Sequence, residues 1–181
     1  MSRVVRYTVY ATALLVGLPL AGLFVYDLVA VRPHVAEVRA LLVHADGQDA
    51  SPPPLIRDLI DASAGSPTPS VARMAAHRFH FHAPQSAMSW HVRTALWRLL
   101  LPLHFSDEEM YGLYASQAYN GVDTGLDRLA RREHGKPLDA LSPIEAARTV
   151  AILKGPSYLL RDRQRLETRA EWLLARAGYV P

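Results

Sequence analysis

Tyr7 to Tyr26 most limits what this chain can become, because the stretch carries no charged side chain. A run of about 20 such residues crosses a bilayer core as a helix. Gly17 and Pro19 within it are tolerated in membrane helices, where neighbouring groups re-satisfy the freed backbone. Tyr7, Tyr10 and Tyr26 fall near the two ends, where amphipathic rings favour the headgroup layer. Arg3 and Arg6 precede the run and Asp27 comes after it, so positive-inside bias keeps residues 1–6 cytoplasmic and exports the chain beyond a span over 7–28. The rival is a cleaved signal peptide, whose apolar core would run about 7–15 residues before a small-x-small site; Leu28-Val29-Ala30 matches that poorly. A buried core helix fits less well, since the run is long and polar on no face.

The 181 residues have room for one ordinary domain beside this span. The net charge of +3 owes much to Arg3 and Arg6, and without them the chain is nearly balanced. A nucleic-acid binder would carry a clear basic excess, so that class is excluded as the leading one. There is no cysteine, hence no disulfide framework and no thiolate zinc site.

Residues 29–54 read as a juxtamembrane helix, opening at Arg32-Pro33 and running to about Val43, and a polar, proline-rich linker from Asp46 to Pro54. Residues 55–181 read as the domain. Short helices are expected over Leu55–Ala62 and Ser70–His80, with a break at Ala83-Pro84. Ser89 is expected to cap a helix reaching Leu101. Ser106 to Glu109 and Ser142 to Glu145 are capping boxes, the second with Pro143 at the first helical position. Gly135 and Gly178 end helices, and Leu166, Ala170, Leu173 and Ala177 recur at helical spacing. No segment alternates like a strand. The fold class is all-α.

The second half carries a resemblance. SDEEMYGLYASQAYNG, Ser106 to Gly121, is followed by GLDRLARREHGK and then LDALSPIEAARTVAILKGPSYL; RAEWLL, Arg169 to Leu174, and Gly178-Tyr179-Val180 close the chain. In this order and spacing the segments from Phe105 to Val180 resemble glycosyltransferase family 51, the peptidoglycan-polymerising domain of penicillin-binding proteins and monofunctional transglycosylases. Glu109, Leu113, Tyr114 and Gly121 fall in register, then Gly125, Ala130, Gly135, Lys136, Leu141, Glu145, Ala146, Ala147, Lys154 and Pro156.

The resemblance implies a shortened, lysozyme-like fold behind one membrane anchor in the bacterial inner membrane. It also implies a partner in the membrane, a lipid-linked peptidoglycan precursor, or other cell-wall synthesis proteins, and no nucleic acid, cofactor or metal. Arg93, Glu109, Tyr114, Ser116 and Arg169 become its candidate substrate-binding residues. The family's two glutamates, however, fall at Ser63 and Thr94, and Asp107 replaces the lysine and Ser116 the asparagine of its fourth motif. Sugar transfer from a lipid diphosphate needs a base on the accepting hydroxyl and positive charge at the leaving group. Serine and threonine supply neither, and loss of the base alone costs roughly 10²–10⁴-fold in rate. Asp61, with Asp58, is the weak substitute. The expectation is a catalytically impaired, family 51-like protein that binds precursor or a partner. The alternatives are an active divergent polymerase of lipid II, a structural envelope partner that binds no glycan, and a decayed frame.

Three further patterns carry rival readings. His77, His80 and His82 invite a metal, but no carboxylate completes the set, and ordinary histidines are the plainer reading. Trp90, Leu96, Trp97, Leu100, Leu101 and Phe105 form an apolar stripe that is either core or bilayer-facing, core being favoured on helical spacing. Arg161, Arg163 and Arg165 are by default a solvated charge run beside Asp162 and Glu167.

Overall fold

The structure, a computed structural model, describes residues 3–80 and 86–179, with side chains from Tyr7 onward except at 8, 9, 11 and 80. The expected break at Ala83-Pro84, His82 and Val180 lie outside the described residues. Every regular element among those described is helical, and the one β-type pairing is an isolated bridge between Tyr119 and Thr124.

Helix α1 spans Arg3–Tyr26, with Pro19 inside it and large apolar side chains such as Leu15, Leu18 and Phe24 open to the surroundings. The stretch Thr12–Val43 is long and apolar enough to cross a membrane. The chain does not break after α1. It passes through one π-helical turn, Asp27–Val31, and one 3₁₀ turn, Arg32–His34, into α2, Val35–Val43. Pro33 sits at the start of the 3₁₀ turn. A π turn leaves room for one extra residue per turn and reorients the side chains beyond it. Val31 and Val38 thereby face the domain and are fully buried.

Residues 46–53 differ from their expectation as a linker: they pack into the domain. Asp49, only 1% exposed, accepts backbone N–H groups from Leu126 (3.1 Å) and Asp127 (2.9 Å) through Oδ1. It therefore caps α7, Leu126–His134, whose own N-cap position is Gly125 with no side chain to offer. Gln48 Oε1 accepts the Asp139 N–H at 2.7 Å, and Asp46 pairs with Arg128. The polar composition that marks a linker here supplies acceptors for distant backbone donors.

Helices α3 (Pro54–Ala64), α4 (Thr68–His80), α5 (Ala87–Leu100), α6 (Asp107–Gln117), α8 (Pro143–Ile152), α9 (Pro156–Leu159) and α10 (Arg163–Arg176) complete the domain. Both capping boxes form, and Gly65 and Gly135 close α3 and α7 at positive φ, 77° and 68°. The cap of α5 is Ser86 rather than Ser89; Ser86 Oγ accepts the Ser89 N–H at 3.2 Å.

Two hydrophobic cores share α6. One surrounds α8, which is rich in alanine and lets α3, α7 and α10 approach it closely. The other holds the inner faces of α4 and α5 against Val31 and Val38, on the helical path that continues from α1. Leu113 and Met110 of α6 enter the second core, Ala115 enters the first, and Tyr114 touches both. The stripe on α5 resolves by face: Trp97, Leu100, Leu101 and Phe105 are core. A different line, Met88, Val92, Leu99 and Leu103, stays exposed at helical spacing.

Candidate functional site

Between α4 and α6 the two cores do not quite close, and a groove remains. Helix α4 turns its small residues inward, with Ala72, Ala75 and Ala76 buried, so Ser70, Arg73, Met74 and His77 are left along the groove edge. The opposite wall is Leu113, Tyr114 and Gln117 of α6, and Leu153 and Pro156 close one end. The closed end is a cavity of about 220 Å³ with a mainly apolar lining. Through Ser70, Met74 and Gln117 it continues into a wider mouth of about 450 Å³ that adds Arg73, His77 and Arg78.

The electrostatics run along this axis. Arg78 Nε pairs with Glu37 Oε1 at 3.2 Å, whereas Arg73 has no carboxylate within ion-pair distance among the described residues. His77 meets Trp90 edge to face, with centroids 6.2 Å apart. Burial raises the Tyr114 hydroxyl above its ordinary value, with the Arg73 charge opposing, so at neutral pH it remains a protonated donor. Among the described residues, no carboxylate lines either part of the groove. Such a lining suits an amphiphile with an anionic head, apolar atoms at the closed end and charge at the mouth. It offers no carboxylate base.

Of the residues singled out in the sequence as catalytic or substrate-binding, Tyr114 alone lines this groove. Ser63 lies on α3 with its hydroxyl buried and without a hydrogen-bond partner. Thr94 donates to the Trp90 carbonyl at 2.9 Å, within its own helix. Asp61 accepts from the Tyr111 hydroxyl at 2.5 Å, and Asp58 from the Tyr179 hydroxyl at 2.7 Å. Glu109 accepts the Ser106 N–H at 2.8 Å and meets Arg39 at 3.0 Å. These contacts hold Glu109 below the usual glutamate value, the backbone bond most of all. Ser116 is buried and donates to the Leu113 carbonyl at 3.4 Å. Arg93 is half-buried on α5. Arg169 stacks over Trp172 at 4.2 Å, a cation–π contact on α10.

Arg73, Met74 and Gln117 escaped sequence reasoning. For Arg73 a signal was present in the polar recurrence Ser70, Arg73, His77 along α4, which has the spacing of one helical face; Met74 and Gln117 had none. Among the described residues no group of three or more His, Asp or Glu is arranged to hold a metal.

The chain matches no protein-family model and no curated protein.

Proposed function

We propose that this chain is a membrane-anchored, glycosyltransferase family 51-like protein of bacterial cell-wall synthesis that binds a lipid-linked precursor and does not polymerise it. The fold under this reading is the family's lysozyme-like one, shortened, with the domain on the outer side of the inner membrane. The ordered motif resemblance from Phe105 to Val180 supports the family, and the apolar α1 supports the anchor. The observation that carries the ligand class is the α4–α6 groove, apolar inside, with Arg73 at its mouth and no carboxylate in its lining. A lipid diphosphate matches both ends of it, because guanidinium forks bind phosphate oxygens in charge-assisted pairs. Ser63 and Thr94, at the family's glutamate positions, supply no base.

The test has two parts, both on full-length protein in neutral detergent. Labelled lipid-linked disaccharide-peptide, run beside an authentic polymerase, is expected to give no glycan strands. The same precursor is expected to bind saturably, and Arg73→Ala to weaken binding by roughly tenfold, in line with loss of one charged hydrogen bond. Glycan product would overturn the impaired reading and direct attention to Asp61. Folded protein with no precursor binding would overturn the ligand class and leave a scaffolding role.

A further inference from the structure

A second pocket lies where α7, α8, α9 and α10 meet, and it shares no lining residue with the groove. Its volume is about 360 Å³. That is within the ordinary range for small-molecule sites, about 300–1,000 Å³. Ile152, Leu159 and Leu166 give it an apolar floor. The two carboxylates in its wall are already engaged: Glu167 with Arg148 at 2.8 Å, Glu133 with Arg132 at 3.1 Å. Arg161 and Arg163, also in the wall, have no carboxylate within ion-pair distance among the described residues. The wall therefore carries one more guanidinium than it has carboxylates, and Arg161 and Arg163 are the two left without an ion pair among the described residues.

His134, at the end of α7, adds a directional feature. Its Nε2 atom is buried in the wall with no hydrogen-bond partner. A buried polar atom without a partner costs free energy, which makes this ring sensitive to any change in the wall around it. Burial also lowers the imidazole below its ordinary value, so at neutral pH the ring is neutral and Nε2 is free to donate or accept according to its tautomer.

We propose that this pocket binds a small organic anion, with its carboxylate or phosphate head on Arg161 and Arg163, its short apolar body over Ile152, Leu159 and Leu166, and the His134 ring beside it in the wall. Two guanidinium forks select planar or tetrahedral oxyanions over neutral groups. The floor selects a ligand with a hydrocarbon part over a bare inorganic ion, and 360 Å³ limits it to a small molecule. The site stands independently of the groove and its proposed precursor.

Histidine-ring NMR on full-length protein in neutral detergent tests it, with His134→Gln identifying the His134 signal. The probes are isovalerate and isopentyl phosphate; the controls are isovaleramide and inorganic phosphate. A saturable shift of His134 is expected with at least one organic anion, weakened about tenfold or more in the Arg161→Ala/Arg163→Ala double variant. Both arginines are exposed, so the fold should survive. Arg73→Ala should leave the shift unchanged, which separates this site from the groove. The tighter of the two organic anions names the head group. No shift with either organic anion, equal binding of isovaleramide, equal binding of inorganic phosphate, or wild-type binding by the double variant would each overturn the proposal.

Discussion

Asp27 and His104, 77 residues apart in the chain, meet at 2.6 Å between Oδ1 and Nε2. Asp27 is 4% exposed, and its other oxygen takes Arg32 Nη2 at 3.3 Å. The contact fastens the π-helical turn that follows α1 to the segment just after α5. His104→Ala would leave a buried carboxylate oxygen without its nearest partner, at a cost of about 1–3 kcal/mol. Hydrogen exchange should rise at the amides of 27–34 and not at those of α8. Unchanged exchange at 27–34 would show that Val31 and Val38 alone hold the joint.

Asp49 sets one side of the pH dependence. Burial lifts its carboxyl to about 7, opposed by the backbone N–H groups of Asp127 and Leu126 and reinforced by the Asp127 charge. A carboxyl raised above its unfolded value stabilises the fold most below that unfolded value, and the contribution is lost as pH climbs through about 7. Urea unfolding should therefore show stability falling between about pH 4 and 7 by on the order of 3 kcal/mol. Asp49→Asn keeps the acceptor that caps α7 and should flatten this window; an unflattened profile would reassign the slope.

Glu145 sets the acid side. The Lys136 ammonium, Nζ to Oε1 at 2.8 Å, together with the Ser142 backbone N–H holds it down to about 2. Its contribution is present above the ordinary glutamate value and lost as pH falls towards 2. Glu145→Gln should remove the acid-side loss while leaving the Asp49 window intact, read from the same unfolding series.

Gly112→Ala tests how tightly residues 46–53 are held. A Cβ there would press on the Ala50 carbonyl oxygen and come within 2.8 Å of Leu42 Cδ2. Backbone on one side cannot yield as a side chain can, so a loss of about 1–3 kcal/mol is expected in thermal or urea unfolding. A neutral outcome would mean that this segment detaches readily from α6.

The exposed line Met88, Val92 and Leu99 of α5 continues to Leu103 in the short turn after it, and α5 packs against the π-helical turn that follows α1. The chain has no cysteine, so Leu103→Cys carries a single spin label. In lipid nanodiscs the label should be quenched more by dissolved oxygen than by a water-soluble nickel chelate. The reverse pattern would place this face in water or against protein.

Much of the helical plan was legible because its signals are local. Ser106 with Glu109, Ser142 with Glu145, and Gly135 each act within one turn, and each ends or begins a helix as read. Asp49 was illegible because its partners, Leu126 and Asp127, lie 77 and 78 residues away. The same held for α5, whose pattern is apolar on two faces; periodicity identifies a stripe and only packing says which stripe is inside. For the site, Tyr114 was found through motif register, while Arg73 was passed over because its meaning depends on what α6 brings opposite it.

The uninterrupted path from α1 through the two irregular turns into α2 has a mechanical consequence. A helix rotates about 100° and advances about 1.5 Å with each residue. Inserting one alanine between Tyr26 and the domain would swing the groove roughly a quarter-turn about the axis of α1, and three or four would nearly restore its bearing. The groove's azimuth relative to α1 is thus written in the residue count of the stalk.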